Sequence, residues 1–253
     1  MSNVKKIEKE IYNHKRGIGK VEYGSWWDKE LYVYLESFRF KKIQQWYNIY
    51  LKNKDCLVLG CGNGEDIKDF KEKPKKCIGI DISFRLISEA KIKFERHEFI
   101  NCDAEELPFK NETFDVIFAK SILHHLPHLE KSIGEIKRVL KNEGILLMAY
   151  EQCLLNPIAA IGRKFFPSNV HTPYEKPFIP YRLKTLFMKK IFQEIEIDYF
   201  YLFSIIFPII GKYINFRKIF KKFIKISISL EKIIKRSFLR ELYWIIAGIW
   251  KRM

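Results

Sequence analysis

The chain has 253 residues with 47% hydrophobic side chains, enough to bury a core in one large domain or a domain with an appended subdomain, which excludes a disordered chain. Its formal charge of +16 is unevenly placed: Gly211 to Met253 carries twelve Lys or Arg against Glu231 and Glu241, a net +10, and leaves +6 for the rest. Five cysteines at 56, 61, 77, 102 and 153, with no Cys-x-x-Cys pair, argue against a zinc framework or a disulfide scaffold and fit reduced thiols in the cytoplasm.

The first residues, with Lys5, Lys6, Glu8, Lys9 and Glu10, lack the apolar core of a secretory signal. Residues 1–54 read as a helical lead-in or lid. Apolar residues at 31, 35, 38, 43, 46, 47 and 50 follow helical spacing from Trp27 to Leu51. Before them, Tyr23, Trp26 and Trp27 form an aromatic knot that either caps a substrate pocket or packs on the core.

Alternation begins at residue 55. Strands are expected at Cys56–Leu59, Cys77–Ile80, Phe99–Cys102, Phe114–Ala119 and Ile145–Tyr150, with helices at Glu65–Lys71, Phe84–Phe94 and Leu129–Leu140. Short apolar strands alternating with helices argue for a doubly wound, mostly parallel α/β sheet covered on both faces. Ligands of such sheets bind beyond the carboxyl ends of the strands, and there the first strand breaks into Gly60, Gly62 and Gly64. Glycines let the backbone turn sharply and approach a ligand closely, and a helix from Glu65 would point its N-terminus at that ligand.

Asp81 ends the second strand, 21 residues after Gly60, where a carboxylate can accept hydrogen bonds from a ribose diol or cap the next helix. Together, Leu59-Gly60-Cys61-Gly62-Asn63-Gly64, Gly79-Ile80-Asp81-Ile82-Ser83, Asp103-Ala104-Glu105-Glu106-Leu107-Pro108-Phe109 and Phe114-Asp115-Val116-Ile117-Phe118 resemble the class I S-adenosylmethionine-dependent methyltransferases, a Rossmann-like fold. The ubiquinone/menaquinone-biosynthesis type and its small-molecule relatives look most similar. The resemblance covers residues 55–150 within a domain of 55–200. It implies S-adenosylmethionine as cofactor. Leu59, Gly60, Cys61, Gly62 and Gly64 would face its methionine part, Asp81 and Ile82 its ribose, and Cys102, Asp103 and Ala104 its adenine, with Lys120 on the floor. The family usually carries an acidic residue two positions before the first glycine; this chain has Val58.

After the fourth strand, Ser121-Ile122-Leu123-His124-His125-Leu126-Pro127-His128 brings imidazoles to the active-site edge. One near neutral pKa can deprotonate a hydroxyl or an acidic carbon, with His125 preferred over His124; a packing histidine is the plainer alternative. No metal is expected, because carboxylate partners at ligand spacing are missing nearby. The Asn-Pro-Pro-Tyr type element of base-modifying enzymes is absent from 119–121, so nucleic acid is an unlikely substrate.

Residues 151–180 hold five prolines and predict an irregular substrate-side insertion, with His171 and Tyr174 as secondary substrate-site residues. Tyr181–Lys190 reads as a helix and Phe192–Tyr199 as a half-exposed strand. Residues 201–253 read as a basic amphipathic C-terminal extension. From Phe216 on, apolar residues recur at helical spacing between lysines, which suits an anionic membrane surface through residues 211–253, packing on the core or a second subunit, or, less well, nucleic acid. Tyr199–Ile210 is too short to span a bilayer. The Ile and Phe excess points to a small lipidic or lipid-linked acceptor, methylated at oxygen or carbon, and to a cytoplasmic protein peripheral at the inner face of the membrane. A non-catalytic binding or regulatory protein on the same fold is the alternative.

Overall fold

A computed structural model describes residues 5–6, 9–10, 13, 27–70, 74–165, 175–189 and 192–253. Its helices are α1 (Lys29–Tyr50), α2 (Phe84–Lys93), α3 (Leu129–Val139), α4 (Pro157–Phe165), α5 (Pro180–Lys189), α6 (Ile206–Gly211) and α7 (Arg217–Ile234). The strands are β1 (Asp55–Leu59), β2 (Lys76–Asp81), β3 (Glu98–Asn101), β4 (Phe114–Lys120), β5 (Leu140–Gln152), β6 (Phe192–Phe200) and β7 (Ile245–Arg252).

They form one sheet in the order β3-β2-β1-β4-β5-β7-β6. Strands β1 to β5 pair in parallel, and only β7 runs against its neighbours. Successive residues of each strand serve opposite faces. On one face Cys56, Val58, Val116, Phe118 and Leu147 meet Ile43, Trp46 and Tyr47 of α1 and Ile87 and Ala90 of α2. On the other, Leu57, Leu59, Ile117, Ala119 and Leu146 meet Ile133, Ile136 and Val139 of α3 and Leu183 and Phe187 of α5. This is the doubly wound sheet expected from the alternation. Helix starts follow local chemistry: Asp28 accepts the Leu31 N–H to cap α1, and Ser83 accepts the Leu86 N–H to cap α2.

Three expectations change. The stretch after the glycines is a five-residue 3₁₀ turn, Glu65–Asp69, too short for the dipole of a full helix. The proline-rich insertion is not wholly irregular, because Pro157 opens α4, where its missing N–H costs nothing. Finally, residues 201–253 are not a separate tail. Their last segment is β7, hydrogen-bonded between β5 and β6, so the basic stretch is a β6–β7 connection held in the sheet at both ends.

That connection leaves from the carboxyl ends of the strands. Since β7 is antiparallel to both β5 and β6, β6 runs with the parallel strands, and Tyr201–Trp244 starts and finishes on the edge that carries the glycine turn. It is fixed there by buried polar groups. Glu231 of α7 accepts the N–H groups of Leu202, Phe203 and Ser204 at 3.1, 2.9 and 2.8 Å and the Ser204 hydroxyl at 3.1 Å. Asn156 donates to the carbonyls of Tyr201, Leu202 and Leu242. Burial raises the Glu231 carboxyl, while those donors oppose the rise. No helix among the described residues is long and apolar enough to cross a membrane.

Candidate functional site

At the end of β1 the three glycines all have positive φ, 64° at Gly60, 52° at Gly62 and 81° at Gly64. Their surroundings differ. A Cβ at Gly60 would strike the Ile122 side chain, and one at Gly64 would strike Phe94 and Phe99. Beyond Gly62 nothing lies within 4 Å. The turn is therefore packed at both ends and open in the middle, the shape of a cradle for a ligand that needs close backbone approach.

Asp81 closes that cradle from β2. Its Oδ2 accepts the Gly62 N–H at 2.9 Å and its Oδ1 accepts the Ser83 N–H at 2.8 Å. Burial raises this carboxyl above its ordinary value, and the N–H groups of Ser83, Gly62 and Ile82 pull it back. Both oxygens keep lone pairs for further donors. At the tip of β3, Asp103 accepts the Glu105 N–H at 2.9 Å and the Lys5 ammonium at 2.6 Å; Lys5 also reaches Glu105 at 2.5 Å. Burial alone would lower the Lys5 pKa, but its hydrogen bonds to Asp103 and Glu105 raise it. Asn13 accepts the Ser83 hydroxyl at 2.8 Å, so residues of the lead-in touch both strand tips.

The remaining residues expected at the cofactor divide between cradle and core. Leu59 and Cys61 turn buried side chains into the two cores, so only their backbone lines the turn. Ile82, Cys102 and Ala104 are half-buried beside the acids. Burial, with Asp81 and Asp66 nearby, pushes the Cys61 thiol up, and burial with Asp103 and Asp81 pushes Cys102 up to about 12, which leaves both thiols protonated. Lys120, at the end of β4, pairs with Asp66 across the turn at 2.5 Å. Val58 is buried among Phe118 and its neighbours on the α1 face.

The two histidines lie in a 3₁₀ turn, Leu123–His125. Glu151, fully buried in β5, holds this turn: its Oε1 accepts the Ile122 and Leu123 N–H groups at 3.1 and 3.2 Å, and its Oε2 accepts the His124 N–H at 3.3 Å and meets the His124 Nδ1 at 2.7 Å. The His124 ring is sealed, with 1% of its side chain exposed, whereas His125 keeps 14% and sets its Nδ1 3.8 Å from Glu175. The rings lie 4.3 Å apart. Ser121 and Tyr150, at the tips of the adjacent strands β4 and β5, both hold left-handed φ, 53° and 64°. Such backbone in non-glycine residues concentrates at functional sites.

Sequence reasoning passed over Glu151, Lys5 and the strained pair. Glu151 carried the same signal as Asp81 and Asp103, an acid at the tip of an apolar strand. Tyr23, Trp26, His171 and Tyr174 lie outside the described residues.

Comparison with known proteins agrees with this geometry. Residues 57–148 match the family model described as "Methyltransferase domain". An uncharacterized protein of Methanocaldococcus jannaschii is 33% identical over 120 residues, 47% of this chain and 52% of its own. The ubiquinone/menaquinone biosynthesis C-methyltransferase of Campylobacter jejuni is 32% identical over 121 residues, 44% of this chain and 51% of its own. The chain thus spans about half the length of these curated relatives. Among solved structures, geranyl diphosphate C-methyltransferase from Streptomyces coelicolor shares the fold with a TM-score of 0.61, at 11% identity, covering 100% of this chain and 99% of that one. The cradle, the acids at successive strand tips and the matched segment coincide, and residues 57–148 are a class I S-adenosylmethionine-dependent methyltransferase domain.

Proposed function

We propose that this protein binds S-adenosylmethionine in the 60–64 cradle and transfers a methyl group to oxygen or carbon of a small, lipidic or lipid-linked acceptor. One observation carries the reading: a Cβ at Gly62 would meet nothing within 4 Å while the Gly62 N–H is held by Asp81, so open backbone and a carboxylate lie side by side. The residues fit the cofactor, with Asp81 to accept ribose hydroxyls and Asp103 to accept the adenine amino group. When bound, S-adenosylmethionine supplies an electrophilic methyl carbon on a sulfonium.

The protein's part is to align the acceptor and exclude water. Ile122 and the turn pinned by Glu151 set the wall on which His125 stands. His125, its Nδ1 3.8 Å from Glu175, would take the proton from an acceptor hydroxyl or acidic carbon. His124 braces the turn through Glu151. The lead-in 1–54 serves as a lid, which the contacts of Lys5 with Asp103 and of Asn13 with Ser83 support. The exposed apolar and basic surface of 211–253 supports work at the inner face of a membrane, where such an acceptor is found. Residues of 151–180, including His171 and Tyr174, take part in acceptor choice.

The test is a labelled-methyl assay on extracts fractionated into lipid, small polar and RNA pools. Label is expected in the lipid pool. His125→Ala is expected to lower the rate about 10²-fold or more, the scale of a lost general base. Label confined to RNA, or none in any pool, overturns the reading.

A further inference from the structure

Helix α7 has two apolar faces. One packs inward through Ile224, next to Ser227 and Glu231. The other consists of Phe216, Ile219, Phe223, Ile226, Leu230 and Ile233, each between 45% and 69% exposed. Their spacing of three and four residues keeps them on one stripe beside the core-packing face, and among the described residues only Phe223, whose ring stacks on Phe207 of α6 with centroids 5.8 Å apart, is shown in ring contact with the rest of the protein. A helix that only covered the domain would need the first face alone.

The charges around α7 divide in the same way. Arg217, Lys221 and Lys235 are taken up by Asp28, Glu30 and Asp198 on neighbouring elements. On the solvent side of the stripe, Lys218, Lys222 and Lys225 are exposed and make no ion pair among the described residues. The stripe and these lysines therefore form a single surface. A second copy seated on the stripe would bring its own lysines against these. A nucleic acid would engage the lysines and leave six apolar side chains in water. An anionic bilayer satisfies both, with the apolar side chains at the acyl boundary and the ammonium groups among the headgroups.

We propose that the outward face of α7 docks this protein in the plane of an anionic lipid bilayer. The connection carrying α7 begins and ends on the sheet edge that holds Gly62, Asp81 and the histidine turn, so docking brings that edge to the lipid from which the acceptor is drawn. This purpose rests on the lipid-like acceptor proposed above; the docking itself rests on α7.

The experiment is co-sedimentation of the full chain with phosphatidylcholine vesicles, with and without phosphatidylserine. The unmodified protein is expected to pellet with the anionic vesicles and stay in the supernatant with the neutral ones. The double variants Phe223→Ser/Ile226→Ser and Lys218→Glu/Lys222→Glu should each weaken vesicle binding about tenfold or more while circular dichroism and S-adenosylmethionine titration in solution stay unchanged, as expected for an interfacial helix. Vesicle binding that neither variant weakens overturns the proposal. So does a lipid-independent dimer that the Phe223→Ser/Ile226→Ser variant dissociates, or RNA binding that the charge variant alone abolishes. Vesicle binding without cofactor binding would sink the methyl-transfer reading and leave the docking face standing; cofactor binding without vesicle binding would do the reverse.

Discussion

Gly60 and Gly62 are two residues apart and share a left-handed backbone, yet they answer to different neighbours. Either glycine replaced by alanine pays for positive φ with about 1–2 kcal/mol. At Gly60 the new methyl also meets Ile122, so the loss of stability should be larger. At Gly62 it meets nothing within 4 Å and projects into the cradle. Thermal melts are therefore expected to rank Gly60→Ala below Gly62→Ala, while titration with S-adenosylmethionine finds binding lost in Gly62→Ala although it is folded. Equal cofactor affinity in Gly62→Ala and the unmodified chain would place the ligand elsewhere. This turn was legible in the sequence only through its companions: small tight turns also use Gly-x-Gly, and it was Asp81 and Asp103 at the ends of the next two strands that marked this one as a ligand turn. Glu151 was hidden by its position, at the start of a stretch that read as an insertion. Its partners, the N–H groups of 122–124, are backbone and leave no trace in composition.

Among the elements, α1 and α7 are joined by one carboxylate. Asp28 caps α1 through the Leu31 N–H at 2.9 Å and accepts Arg217 of α7 at 2.7 Å. Burial would raise its pKa, but the Leu31 N–H and Arg217 outweigh that and hold the carboxyl below its ordinary 3.8. A depressed folded value means that the stabilisation is complete above 3.8 and is lost as the pH falls through the lower folded value. Asp28→Ala is expected to cost about 1–2 kcal/mol near neutrality, the scale of a lost helix cap, and less at a pH where the carboxyl is protonated in both states, because the part due to its charge is then gone. Urea unfolding at two pH values checks this. A cost that persists unchanged in acid would show that packing of the side chain, and not its charge, sets the effect. The sequence made α1, α2, α3, α5 and the parallel strands readable through their periodicity. It did not make β7 readable. Between β5 and β6 that strand is buried on both faces, so Ile245-Ile246-Ala247-Gly248-Ile249-Trp250 shows no alternation, and its partners are far away in the chain.

At the level of the whole molecule, placing β7 inside the sheet changes what the basic region is. A chain shortened to end at Trp244 would lose the strand that joins β6 to β5, and among the described residues β6 has no other partner in the sheet. Such a chain is expected to show no cooperative unfolding transition and to aggregate through its exposed strand edge. A sharp melt at the unmodified temperature would mean that the basic region is separable after all. The connection 201–244 starts and finishes on the carboxyl edge of the sheet and packs on α1 through Asp28 and Glu30, and it lies outside the matched methyltransferase segment at 57–148. Acceptor choice is accordingly expected to reside in the parts of the chain outside that segment, and exchanging residues 201–244 should change which acceptor is labelled while S-adenosylmethionine titration stays the same.

The most direct test of the account is isothermal titration of S-adenosylmethionine into the full chain, alongside Asp81→Ala. The unmodified protein is predicted to show saturable binding, and Asp81→Ala to weaken it by about 1.5–3 kcal/mol, roughly ten- to a hundredfold, the usual worth of hydrogen bonds to a charged group. No heat of binding at about millimolar cofactor, a concentration that would reveal even a contact of about 4 kcal/mol, or an Asp81→Ala variant that binds as the unmodified chain does, would contradict it.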